Sequence, residues 1–238
     1  TGEEFFLADH VVGGARVLPG VAYLEMVRAA VARSAALAEG EEVQLRHVAW
    51  LRPIVAGADA VEVHVELLPE EDGAISFEVV SGEEDSQAGP VVHASGQVVV
   101  GAAGQAAALD VSRLRGGCER SMTAEECYEL YRAMGISYGP AHRGVETIGI
   151  GRDGEGRPYV LAQIAVPAGI SDTQDQYVLH PTLIDSALHA SIGLMAAGGT
   201  APSGMSSKPR VPFALDELAI VRAPSGRLLW SYARLSAE

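Results

Sequence analysis

Three short stretches of this chain carry residue types that can do acid–base chemistry. In the first, Asp9 to Gly20, His10 is followed by Gly14 and then by Leu18-Pro19-Gly20, directly ahead of an apolar stretch from Val21 to Ala36. This spacing predicts a loop that delivers a histidine to the start of a helix. Proline suits the first helical turn, because the N–H it lacks would be unpaired there anyway. The free N–H groups of that turn can polarise a carbonyl. A base beside such a site is the equipment for removing a proton alpha to a carbonyl. Taken alone, one of seven histidines reads as an ordinary loop or core residue; the glycine and proline context sets His10 apart.

In the second stretch, His180-Pro181-Thr182-Leu183-Ile184-Asp185 leads into another apolar helix that runs through Met195. Among Leu183, Ile184, Ala187 and Leu188, Asp185 is either a surface residue on a polar face or a buried acid. His189 stands four residues on, on the same helical face, within reach of the carboxyl group. Burial among aliphatic side chains predicts a raised pKa and a proton donor near neutral pH. The third stretch, Tyr138-Gly139-Pro140, follows a helix whose end is marked by Gly135. It reads either as a turn with a packing tyrosine or as a hydroxyl projecting into a cleft.

The elements that must position these residues follow a repeated plan. Val21 to Ala36 is rich in Ala, Leu, Met and Val, with only Glu25, Arg28 and Arg33 charged, which predicts a helix buried on most sides. Strand-like runs follow at Val43 to Leu51, Ala60 to Leu68, Ala74 to Val80 and Val91 to Val100. Gly101 to Ala108 is small and uncharged, like a linker. Beyond it, Thr123 and Glu126 form a capping box for a helix ending near Gly135. Strand-like runs at Val145 to Ile150 and Tyr159 to Val166 precede the second apolar helix. A Gly/Ser-rich loop, Ala197 to Lys208, and strand-like Phe213 to Val221 and Arg227 to Arg234 close the chain. An apolar helix buries most of its surface when a curved antiparallel sheet wraps it. Two such α+β units are expected: residues 1–100 carrying His10, a linker over 101–120, and residues 121–238 carrying Asp185.

Composition narrows the possible partners. A net charge of −14 disfavours nucleic acid, which needs a basic surface. The apolar runs fall short of a membrane span, and Thr1-Gly2-Glu3-Glu4 lacks the basic start of a signal peptide. Cys118 and Cys127 have no metal-type spacing and read as reduced thiols. A cytoplasmic protein is the expectation.

His10-xxx-Gly14-xxxx-Pro19, Tyr138-Gly139-Pro140 and His180-Pro181-xxx-Asp185-xxx-His189 resemble, in order and spacing, the signatures of dehydratase domains of modular polyketide synthases. Val211-Pro212-Phe213-Ala214-Leu215 resembles the family's strand after the second helix. The wording of Phe5 to His10, Tyr23 to Met26 and Gly139 to His142 is similar to the branch served by free-standing (trans-acting) acyltransferases. The resemblance covers essentially the whole chain. It implies a double hotdog fold and loss of water from a 3-hydroxyacyl thioester on an acyl carrier protein, giving the 2,3-enoyl thioester. It makes His10 the base and Asp185 the acid, with Tyr138 and His189 orienting the hydroxyl and the acid. Gly14, Pro19 and Pro140 belong to the same motifs.

That reaction makes its own demands. Charge developing on the thioester oxygen needs donors already in place, and the backbone N–H groups at Gly20 and Val21 are the candidates. His10 must be neutral, which the apolar setting of Val11, Val12 and Leu18 favours. No metal or redox cofactor is required; the substrate arrives on the phosphopantetheine arm of the carrier protein. Arg143, Arg152 and Arg157 are possible contacts for that carrier, and homodimerisation and neighbouring synthase domains are expected by analogy. The family's usual aromatic residue two positions beyond Gly-Pro is here His142, which predicts a more polar channel wall alongside Leu18. Nine residues precede His10, where the family has a longer segment with an early strand; an unpaired sheet edge is the expected consequence. Three alternatives stay open: a double-bond isomerase, a pyran-forming oxa-Michael cyclase, and a silent docking domain of a megasynthase. The presence of both Pro19 and Asp185 favours dehydration over the first two.

Overall fold

The computed structural model describes residues 1–34, 41–82, 89–102, 108–197 and 212–236. A short helix α1 (Phe5–Ala8) leads into β1 (His10–Val12), which turns back into β2 (Ala15–Arg16). Only Gly13 and Gly14 separate the paired residues Val12 and Ala15, and both take positive φ, 59° and 86°. A two-residue hairpin of this kind needs left-handed backbone at both central positions, which glycine adopts at least cost. His10 therefore stands on a strand, where the sequence predicts a loop.

Helix α2 (Gly20–Ser34) begins directly after Pro19 and is wrapped by the first sheet. That sheet contains β3 (Glu41–Trp50), β4 (Val63–Pro69), β5 (Ile75–Ser81) and β6 (Val91–Ala102). Val27 and Val31 on the helix are fully buried and belong to one core with Leu45, Val48, Val79 and Val98 of the sheet. The Trp50 indole N–H donates to the Gly20 carbonyl at 3.0 Å, and a side chain at Gly20 would meet that ring at 3.3 Å. The glycine thus lets the helix start lie against β3.

The second unit contains α3 (Val111–Gly116), β7 (Cys118–Thr123), α4 (Ala124–Ala133), β8 (Ile136–Tyr138), β9 (Val145–Arg152) and β10 (Pro158–Ile164). It continues through α5 (Pro181–Ala190) and α6 (Ile192–Ala197). The capping box forms as the sequence predicts: Thr123 accepts the Glu126 N–H while Glu126 accepts the Thr123 N–H. The second apolar helix is not continuous through Met195. At Ser191 the backbone N–H turns to the Leu188 carbonyl, three residues back, and the hydroxyl donates to the same oxygen at 2.6 Å. This local competition ends the helix. Beyond the break, Gly193 lies against Val160 and Ile148, so closely that a Cβ would sit 2.8 Å from the Val160 methyl. Cys118 and Cys127 are free thiols.

Two further strands decide how the units join. β11 (Ala214–Ala219) pairs antiparallel with β3 and completes the first sheet in the order β11-β3-β6-β5-β4, while β12 (Leu229–Arg234) joins the second in the order β12-β10-β9-β7. The strand at 214–219, assigned by chain order to the second unit, thus belongs to the sheet of the first. Within 101–120, where the sequence predicts a linker, α3 and the start of β7 are ordered; residues 103–107 of the Ala/Gly run lie outside the described residues, as does most of the Gly/Ser-rich loop. β7 reads Cys-Glu-Arg-Ser-Met-Thr, too polar to announce itself as a strand, and it occupies the edge of its sheet. A third sheet, β2-β1-β8, ties the His10 hairpin to the second unit. Among the described residues no helix is long and apolar enough to cross a membrane.

Candidate active site

His10 and Tyr138 are directly opposed across the β1–β8 ladder, although one belongs to the start of the chain and the other follows α4. The ring of His10 is buried, with Nδ1 2.6 Å from the Val17 carbonyl oxygen. A carbonyl only accepts, so Nδ1 carries the hydrogen and Nε2 keeps the lone pair. Burial lowers the His10 pKa from 6.5 to about 4; Asp185 pulls it up and His142 pushes it down. At neutral pH His10 is an uncharged base, as its apolar setting predicts.

The second face of the site is built on the turn after β8. Gly139 leads into a single 3-10 turn, Pro140–His142, with Pro140 at its first position, where a missing N–H costs nothing. Asp9 holds this turn in place: its backbone carbonyl accepts the Gly139 N–H at 2.8 Å and its carboxylate accepts the Ala141 N–H at 2.6 Å. A Cβ at Gly139 would land on that carboxylate. From the other side, the Thr182 hydroxyl donates to the Ala141 carbonyl at 2.9 Å. His142 follows immediately and is completely buried.

Asp185 lies one turn into α5, which starts with Pro181 after His180. Its Oδ2 accepts from Nε2 of His142 at 2.7 Å and from Nε2 of His189 at 3.0 Å. His142 is therefore bonded to the carboxylate, where the sequence predicts a channel-wall residue. The predicted upward shift of Asp185 does not occur either. Burial does push its pKa up, but His189 and His142 outweigh that and hold the carboxyl well below its usual range. His189 is itself lowered by burial against the pull of Asp185. The ring of His142 lies edge-on to His10, with centroids 5.5 Å apart. The ring of His142 thus meets both the His10 ring and the Asp185 carboxylate.

Tyr138 closes the group, stacked on His142 and with its ring centroid 4.0 Å from that of His189. Burial raises its pKa, so the hydroxyl stays protonated and neutral. Gly20 and Val21 occupy the first turn of α2, where the helix itself supplies no acceptor for their N–H groups. Leu18 and Pro19 are buried in front of that turn; Leu18 donates its N–H to Ile54 and packs into the first core. Gly14 stays in the hairpin turn and acts through the direction it gives β1. His180 is buried, stacked on Phe5 and bonded to the Thr173 hydroxyl at 2.9 Å; burial lowers its pKa to about 4. The arginines named as carrier contacts are engaged locally: Arg143 with the Tyr138 carbonyl, Arg152 with Gly156, and Arg157 with Asp153 and Glu155.

Two contributors escaped the sequence reading. Asp9 looked like a residue beside the base, and no periodicity linked it to Ala141. Glu25, one of three charges on α2, is buried; it accepts from Nε and Nη2 of Arg28 and from the N–H groups of Val178 and Leu179. It thereby binds the helix after His10 to the segment that enters α5. Its isolation within an apolar stretch was the available signal.

Comparison with known proteins places this arrangement. Residues 1–82 match the model of the polyketide synthase dehydratase domain, and residues 106–238 match that of the polyketide synthase dehydratase N-terminal domain. The chain is 41% identical to polyketide synthase PksL of Bacillus subtilis over 93% of its length and 37% identical to PksM of the same organism over 100%. It spans only 5% and 6% of those two proteins. Among solved structures, a trans-AT polyketide synthase dehydratase domain from Brevibacillus brevis matches with a TM-score of 0.86 and 40% identity, covering 99% of this chain and 79% of that one. The pair of helix-and-sheet units is a double hotdog.

Proposed function

Because the chain belongs to the dehydratase domains of polyketide synthases, we propose that it removes water from a 3-hydroxyacyl thioester carried on an acyl carrier protein, with His10 as base and Asp185 as acid. Nε2 of His10 takes the alpha proton, and the C–H electron pair becomes the new Cα=Cβ bond. The C–O bond at the beta carbon breaks as the departing oxygen takes a proton from Asp185, whose carboxyl, held low by His142 and His189 in the resting site, must first take that proton up; the products are water and the 2,3-enoyl thioester. His10 is left as imidazolium and Asp185 as carboxylate; exchange with solvent resets both.

The observation that carries this reading is the approach of His10 to the Asp185 group across the two units, with the His142 ring against both. The fixed tautomer of His10 supports its part, since Nδ1 is committed to Val17 and only Nε2 can accept. The first-turn N–H groups at Gly20 and Val21 would stabilise the thioester oxygen, each such donor being worth about 3 kcal/mol in reactions of this type. Tyr138, held neutral, would donate to the substrate hydroxyl. The elimination needs one imidazole and one carboxylic acid and no redox step. The relatives are far longer synthases, which makes a carrier protein, adjoining synthase domains and a second copy of the chain the partners to expect in a cytoplasmic assembly.

Mass spectrometry of a 3-hydroxyacyl carrier protein incubated with the parent, His10→Ala and Asp185→Asn tests the proposal. Water loss with the parent alone supports it. Equal loss in all three overturns the assignment of base and acid, and a parent that leaves the substrate intact overturns the activity. A substrate with a distal hydroxyl reports ring closure as a separate product.

A further inference from the structure

Both imidazoles bonded to Asp185 use Nε2, and both converge on the same oxygen, Oδ2. A carboxylate oxygen only accepts, so each Nε2 carries the hydrogen and each Nδ1 holds a lone pair. The Nδ1 atoms of His142 and His189 are buried and, among the described residues, have no hydrogen-bond partner. Protonating either ring would create a buried N–H with no acceptor, which is costly. A proton held by the carboxyl must sit on whichever oxygen is not already filled. On the carboxyl, Oδ2 already accepts two N–H donors, whereas neither bond uses Oδ1.

We propose that His142 is a positioning residue that, together with His189, fills Oδ2 of Asp185 with hydrogen bonds, so that the proton given to the leaving hydroxyl is always carried on Oδ1. This deepens the dehydratase reading and rests on it for the identity of the proton acceptor. A single imidazole on the carboxylate would leave it free to turn about its Cβ–Cγ bond and exchange its oxygens. Two donors from different elements, the turn after β8 and α5 itself, fix the plane of the group. His142 is held in turn by Asp9 and Thr182 through Ala141. The titratable groups facing Asp185 are His142, His189 on its own helix, His10 on β1, Tyr138 on β8, and Tyr128 and Tyr131 on α4. The tyrosines are held protonated by burial, so the two donating histidines set how readily the carboxyl takes its proton.

The test compares the parent with His142→Phe, which removes the donor, and His142→Gln, whose amide N–H₂ can replace Nε2–H. Carbon-13 NMR of the Asp185 carboxyl follows its titration directly, without substrate. The expected result is a titration in His142→Phe at least about one pH unit above the parent, with His142→Gln close to the parent. With a 3-hydroxyacyl pantetheine thioester, kcat should fall about tenfold or more in His142→Phe with KM within about twofold, and His142→Gln should recover most of the loss. A carboxyl in His142→Phe that titrates with the parent, or a His142→Gln that titrates with His142→Phe, overturns the proposal. If His142→Phe fails to fold, His142→Leu removes the donor in its place and is read by the same criteria. The expected titrations in a parent that releases no water would support the donor pair and retire the elimination alone.

Discussion

Asp9 accepts the Ala141 N–H at 2.6 Å, so the residue before the base grips the turn that ends in the partner of the acid. The two halves of the site are thereby set relative to each other by one carboxylate and one β-ladder, β1 on β8.

Removing that grip should uncouple the halves. Asp9→Ala leaves the Ala141 N–H without its acceptor and lets the Pro140–His142 turn drift, lowering kcat about tenfold. Gly139→Ala acts on the same contact by a different route, driving a methyl into the Asp9 carboxylate; a loss of about 1–3 kcal/mol is expected. Denaturant unfolding and steady-state rates read the two effects separately. A Gly139→Ala protein as stable and active as the parent would count against the contact.

The base should show its burial in the pH profile. With its pKa lowered from 6.5 to about 4, His10 stays neutral well into the acid range, and kcat/KM should lose its acid limb near pH 4. Because His189 and His142 hold the Asp185 carboxyl low, its deprotonation falls in the acid range and adds no alkaline limb. An acid limb at the ordinary histidine value, in rate measurements or in proton NMR of the ring, would contradict the buried tautomer.

Folding stability should depend on pH for the same reason. A histidine whose folded pKa lies below its unfolded value binds fewer protons folded than unfolded between the two. Stability is therefore complete above pH 6.5 and is lost as pH falls toward 4. His10 alone accounts for about 3 kcal/mol over that window, and His180 acts in the same direction. Asp185, held low, adds a further loss only at still lower pH. Thermal unfolding should show a midpoint level from pH 7.5 to about 6.5 and falling from there to pH 4.5, with a shallower fall in His10→Phe.

Glu25 offers a test remote from the chemistry. Glu25→Ala strands the Arg28 guanidinium and the N–H groups of Val178 and Leu179, and should cost about 3–5 kcal/mol. Because the clamp binds α2 to the entry of α5, activity should fall even at temperatures where the variant remains folded. Equilibrium unfolding together with rates at low temperature checks both parts.

Much of this architecture was legible in the chain. Long apolar helices and alternating strands announce themselves by periodicity, and Thr123 with Glu126 marks a helix start that the structure reproduces. The elements that were missed are short or polar. Three residues, as in β1 and β8, are too few to display alternation. β7 has the composition of a surface loop and becomes a strand because β9 offers it a ladder.

The residues able to exchange protons, the two helices that approach them, and the glycines that permit the tight hairpin are properties of local sequence, set by side-chain chemistry and backbone sterics within a few residues. The partners of those residues are not. The oxygen of Asp185 that is filled, the nitrogen of His10 that is free, and the role of His142 as a donor to the acid follow from contacts across sheets and between units. The direction of the Asp185 pKa shows the difference: burial, readable from its aliphatic neighbours, pushes it up, while His189 of the same helix and His142, delivered by tertiary structure, together push it further down.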